Sequence, residues 1–208
     1  MTAATDGVEY WAARARKLGE RSVLGLDHDA PLDAVTDLHR GVLLPILGQL
    51  IPTGGHPPLT VLDLGCGVGR LTADLAGLAG RAIGVDPVAE MLALAPPHPA
   101  VAYRLLEDPA GPLPLATGEA DVAFTCLVLG GLSADALARV GEELRRVLAP
   151  GGLVMLAESV SEQPAAGHWT FRTVAEYAAA LPWARLEKVA EFDDAGDAVS
   201  VLVGRAPD

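Results

Sequence analysis

Three glycines at alternate positions, Gly65, Gly67 and Gly69, interrupt the run Val61-Leu62-Asp63-Leu64-Gly65-Cys66-Gly67-Val68-Gly69-Arg70, with a strand-like apolar stretch before them and a helical pattern after. Without Cβ atoms the chain turns tightly and lets its backbone approach a ligand, and the following helix N-terminus favours negative charge. Such a turn serves a nucleoside cofactor. Its spacing departs from the Gly-x-Gly-x-x-Gly of dinucleotide sites, because Arg70 stands where that fingerprint needs its third glycine. Asp63, just ahead of the loop, sits badly beside a pyrophosphate and well beside a cationic group. About twenty residues on, Gly84-Val85-Asp86-Pro87 sets a second acid at a strand end, where a carboxylate accepts both hydroxyls of a ribose. The loop and both acids together point to a nucleoside bearing an amine or sulfonium.

The elements that must hold these residues follow a regular strand-helix alternation from Leu59 onward. Strands are predicted at TVLDLG, AIGVD, VAYRLL, DVAFTCLVL and GLVMLAES, with helices near 68 to 79, 88 to 95 and 133 to 148. This pattern predicts an α/β fold, a doubly wound, mostly parallel sheet with helices on both faces. Thr173-Val-Ala-Glu176 has capping-box spacing and opens a further helix to about Ala180. LEKVAEF and AVSVLVGR then read as a C-terminal antiparallel hairpin, bringing the sheet to seven strands. Upstream, residues 8 to 19 form an amphipathic helix with Val8, Trp11, Ala12, Ala15 and Leu18 on one face. A second helix is N-capped by Asp33, and Pro45 is expected to kink or divide it. The expected organisation is a single domain over 1–208, with 1–56 a helical cap or lid and 57–208 the cofactor-binding core.

Bulk properties narrow the partners. The 208 residues suffice for one substantial core, and the formal net charge of −12 repels nucleic acid and anionic lipid. No apolar run approaches the roughly 20 residues of a bilayer span, and the start lacks the order of a secretion signal. A cytoplasmic location is expected, with no nucleic-acid or membrane partner. Cys66 and Cys126 have neither metal-site spacing nor a disulfide framework and read as buried small residues.

VLDLGCGVGR, IGVDPVAEML and EELRRVLAPGGLVMLAES resemble the first motif, the second-strand motif and the helix-turn-fifth-strand segment of class I S-adenosylmethionine-dependent methyltransferases, which have a Rossmann-like sheet. The resemblance covers about residues 57 to 160 closely and implies S-adenosyl-L-methionine as cofactor. It implies that Gly65, Gly67 and Gly69 face the methionine portion and that Asp63 supports its amino group. Asp86 would take the ribose hydroxyls, with Pro87, Val88 and Met91 along the adenine, although Met91 also reads as a core residue. Glu107 or Asp108 would stand near the adenine amino group. Leu127, after the fourth strand, and Tyr10, on an N-terminal helix that with Trp11 resembles a lid, complete the cofactor set.

Ligands of open α/β sheets sit beyond the carboxyl ends of the strands. Many family members carry histidines after the fourth strand, whereas this chain has Leu129-Gly130-Gly131-Leu132, whose glycines are expected to leave room for substrate. In-line methyl transfer depends mainly on positioning. If a base acts, His168 is the leading candidate, in a loop with Trp169 and Arg172; Arg172 has the competing roles of pairing a substrate carboxylate or forming a structural ion pair. His28 is a weaker candidate, and His39, His56 and His98 read as surface or loop residues. Asp121 is either a cofactor-site acid or a sheet-edge carboxylate. The expected reaction is O- or N-methylation of a small-molecule acceptor. The alternatives are a methyltransferase-like binding protein or partner subunit, use of the cofactor for another reaction such as cyclisation, and a nicotinamide oxidoreductase, which the glycine spacing disfavours.

Overall fold

The structure, a computed structural model, describes residues 3–24, 31–52, 57–109, 111–161 and 169–208. Two compact units divide after Pro109. The first contains α1 (Ala3–Leu18), a 3-10 turn (Gly19–Val23), α2 (Leu32–Leu50), β1 (Leu59–Leu64), α3 (Thr72–Ala79), β2 (Gly80–Asp86), α4 (Ala89–Leu92) and β3 (Val101–Leu105). The second contains β4 (Ala120–Cys126), a 3-10 turn (Leu129–Gly131), α5 (Ala134–Val147), β5 (Leu148–Ser159), α6 (Val174–Ala180), β6 (Glu187–Asp194) and β7 (Asp197–Arg205). The seven strands make one sheet, ordered β3-β2-β1-β4-β5-β7-β6. In the first unit β1, β2 and β3 pair in parallel; in the second β4 and β5 are parallel while β5-β7 and β7-β6 are antiparallel. The expected mostly parallel sheet with a terminal hairpin is therefore present, and Ala195 and Gly196 turn that hairpin at φ 57 and 97.

Several boundaries differ from the sequence pattern for identifiable reasons. The third helix starts at Thr72 rather than near 68, because the glycine loop closes its own turns first, Gly69 N–H donating to Cys66 O and Thr72 N–H to Gly69 O. α4 is a single turn. α2 begins after Pro31, with Asp33 in its first turn rather than at the cap, and it runs through Pro45 undivided. Leu43 and Leu47 flank that proline and are wholly buried. Their burial, about 1.5–3 kcal/mol each, offsets the roughly 3 kcal/mol cost of an interior proline. His39 is buried in the same helix at 1% exposure rather than on the surface. Leu18, expected on the apolar face of α1, is exposed. β4 stops at Cys126 because Leu127 turns to φ 57. β5 begins at Leu148 and takes in the Pro150-Gly151-Gly152 segment that the pattern treats as a turn.

Candidate active site

β1 and β2 run side by side with Asp63 in register with Gly84 and Leu64 with Val85, so both acids reach the carboxyl end of the same parallel pair. The loop leaves β1 bound to β2, Gly65 N–H and Cys66 N–H donating to Val85 O at 2.7 and 3.2 Å. Gly65, Gly67 and Gly69 have φ of 72, 56 and 74, a region that side chains with a Cβ rarely adopt. Space enforces the same choice. A Cβ on Gly67 would lie 2.8 Å from Val23 Cγ1.

Asp86 ties the end of β2 to this loop. Its Oδ2 accepts the Gly67 N–H at 2.9 Å and its Oδ1 the Val88 N–H at 2.8 Å. Burial pushes its pKa up to about 6 against the pull of those two donors. Asp63, 4% exposed, accepts the Thr72 hydroxyl at 2.6 Å on Oδ2. It too is pushed up to about 6, first by burial and further by the charge of Asp86, with the Thr72 hydrogen bond and the Arg70 charge opposing. Neither carboxylate belongs to an ion pair within 4 Å among the described residues. Two desolvated acids flank an N–H-rich glycine turn, with the Arg70 charge acting on Asp63 from a distance and no ion pair on either acid among the described residues. This donor set fits a ligand that offers an ammonium and a pair of hydroxyls.

α1 packs over the same corner. Ala12 and Ala15 join Val68, Val88 and Met91 in a buried cluster, flanked by Val8, Trp11 and Val23. Met91, 4% exposed, is thus part of an apolar cluster. Tyr10 meets Trp11 edge-on at 5.2 Å, and the Arg14 guanidinium covers both rings at 5.8 and 5.6 Å. Arg16 pairs with Glu90 and Glu9, linking α1 to α4 at the surface. Pro87 is half-buried beside Val88, and Glu107 and Asp108 are exposed in the segment after β3.

In the second unit, Leu127 leaves β4 with its N–H on Ala157 O at 2.8 Å. The space expected beside Gly130 is filled, since a Cβ there would fall 2.2 Å from Trp169 Cε2. Arg172, 5% exposed, donates to the carbonyls of Leu129 (2.9 Å) and Leu132, which assigns it a structural role. His168, His28 and His56 lie outside the described residues, and His98 is exposed. Asp121 sits at the amino end of β4, opposite to the strand ends where such sheets bind ligands.

Glu158 escaped the sequence reading. At the carboxyl end of β5 and wholly buried, it accepts the Thr125 hydroxyl at 2.8 Å and the N–H groups of Val128 and Leu129 at 3.2 and 3.1 Å. Burial pushes it up to about 7, opposed by those donors. Its signal was the one that exposed Asp63 and Asp86, an acid closing an apolar strand.

Fold and site together define an α/β protein with a glycine turn set between two buried acids. Residues 61–152 match the family described as "Methyltransferase domain". An uncharacterized methyltransferase of Mycolicibacterium gilvum is 34% identical over 53% of this chain and 43% of its own length. The malonyl-[acyl-carrier protein] O-methyltransferase of Pectobacterium atrosepticum is 36% identical over 49% of this chain and 39% of its own. The chain therefore matches less than half the length of these relatives. The fold is shared end to end with the structure titled "DhpI-SAH complex structure", with a TM-score of 0.72 and 22% identity over 100% of both chains.

Proposed function

We propose that this protein transfers the methyl group of S-adenosylmethionine to an oxygen or nitrogen of a small-molecule acceptor. The observation that carries the proposal is the pair of buried carboxylates, Asp63 and Asp86, bracketing the glycine loop with no ion pair on either among the described residues. The cofactor supplies an electrophilic methyl on a sulfonium, and the chain's own residues hold and aim it. Asp63 binds the ammonium of the methionine portion. Asp86 has both oxygens fixed in plane by backbone N–H groups, and each retains lone pairs for a ribose hydroxyl. The glycine turn lets the backbone close on the ligand, and the α1 cluster excludes water from one side. In-line displacement then depends on keeping donor and acceptor close and aligned.

The relative named as an O-methyltransferase supports the oxygen branch, and the neighbour titled with SAH supports the cofactor. Calorimetric titration with S-adenosylmethionine and S-adenosylhomocysteine tests the reading, followed by acceptor screening for S-adenosylhomocysteine release. Saturable binding that is lost in Asp63→Ala and Asp86→Ala is expected. Folded wild-type protein that takes up neither ligand would overturn it.

A further inference from the structure

The cradle holds a tyrosine for which ligand approach gives no account. Tyr103 stands in β3 in register with Gly84 of β2. A Cβ on Gly84 would lie 2.7 Å from the Tyr103 ring, and one on Gly69 would lie 2.3 Å from its hydroxyl oxygen. Two glycines, one in a strand and one in the loop, thus give up side chains to seat one phenol. The hydroxyl is closed off from solvent, with no hydrogen-bond partner at full bonding distance among the described residues. Burial pushes its pKa up, and the Thr72 hydroxyl works against that rise. An unpaired buried hydroxyl is destabilising, which favours a state of the protein in which it is used.

Thr72 is the side chain that can use it. It is wholly buried, follows Gly69 by one short turn, and gives its single proton to Asp63 Oδ2 at 2.6 Å. Its oxygen keeps lone pairs for a donor. A donor on Thr72 would polarise its O–H and strengthen the bond to Asp63, which favours the charged carboxylate over the protonated one.

We propose that Tyr103 is a positioning residue for the cofactor, its hydroxyl completing a Tyr103-to-Thr72-to-Asp63 hydrogen-bond chain that holds Asp63 ionised and aimed at the ligand's ammonium. This rests on the cofactor reading above and adds to it two residues that do not themselves touch the ligand.

The test is calorimetric titration of S-adenosylhomocysteine into wild type, Tyr103→Phe, Thr72→Ser, Thr72→Val and the Tyr103→Phe/Thr72→Val double variant, from about pH 5.5 to about pH 8.5. Tyr103→Phe keeps the ring and loses only the hydroxyl, so its melting temperature is expected to hold or rise. Its affinity is expected to fall about five- to tenfold near pH 6 and to return within about twofold of wild type above pH 8, where Asp63 ionises unaided. Thr72→Ser keeps a hydroxyl and stays within about twofold. Thr72→Val loses at least as much as Tyr103→Phe, and the double variant is no weaker than Thr72→Val, because the chain passes through Thr72. Unchanged affinity of Tyr103→Phe at every pH, or losses that simply add in the double variant, overturns the inference while the cofactor reading stands. Wild type that fails to bind overturns both.

Discussion

At the scale of single residues, the proposed ammonium site makes affinity depend on the protonation of Asp63. In the free protein its pKa lies at about 6, mainly through burial. An ammonium ligand binds the ionised form, so binding below that value must also release a proton. Affinity for S-adenosylhomocysteine is therefore expected to fall by up to about tenfold per pH unit below pH 6 and to level off above about pH 7. Asp63→Asn removes the titrating group and should bind weakly with little dependence on pH, while still accepting the Thr72 proton. A wild-type affinity that stays flat from pH 5 to pH 8, measured calorimetrically, would exclude Asp63 as the ammonium partner. Asp86→Asn should behave differently. Its amide NH₂ must face either the Gly67 or the Val88 N–H, leaving a buried donor unpaired at about 1–3 kcal/mol, so stability drops along with binding.

At the scale of elements, the turn after β4 is held from both sides by charged residues that the chain brings from elsewhere. Glu158 at the end of β5 takes its N–H groups, Arg172 takes its carbonyls, and Trp169 lies on Gly130. Leu127 enters this turn at φ 57, a conformation that costs a non-glycine residue of order 1 kcal/mol and persists only where the surroundings enforce it. Gly130→Ala places a methyl group inside the Trp169 ring and is expected to cost roughly 1–3 kcal/mol in denaturant unfolding, with a shifted Trp169 emission in a Trp11→Phe/Trp183→Phe background. Gly131→Ala meets only Trp169 Cζ3 at 4.0 Å and should be near neutral. Equal effects of the two substitutions would contradict the packing. This turn also marks the limit of sequence reading. Two glycines after a strand look like open space, and only the fold shows that an indole about forty residues later in the chain fills one of them. The Thr173 capping box, whose partner lies three residues away, was legible because both halves sit in one window of sequence.

At the scale of the whole molecule, the sheet was readable because each strand carries its own apolar run, and the glycine turn with its two buried acids because they fall at strand ends. Partnerships across long separations were not, and Glu158 and Tyr103 belong to that class. They have a collective consequence. Asp63, Asp86 and Glu158 are buried carboxyls whose folded pKa values, about 6, about 6 and about 7, lie above their ordinary 3.8 and 4.5. Between those limits the folded chain binds more protons than the unfolded one, so stability falls as pH rises. It is fully present below about pH 4 for these groups and is lost as pH passes 6 to 7, by on the order of 2–3 kcal/mol per acid, the Asp63 share including the effect of the Asp86 charge. Glu143 acts in the opposite sense, held low by Arg146, and its contribution is lost only as pH falls below the usual carboxylate range. The ligand-free protein is therefore expected to be most stable near pH 4 and to weaken up to about pH 7, measured by denaturant unfolding at each pH. Glu158→Gln should flatten the loss near pH 7, and saturating S-adenosylhomocysteine should restore most of what Asp63 and Asp86 lose, since its ammonium and hydroxyls stabilise the ionised pair. Stability that instead climbs from pH 5 to pH 8 without ligand would mean that the buried acids are already neutralised by the chain itself, and the cradle would have no unmet charge to offer a cofactor.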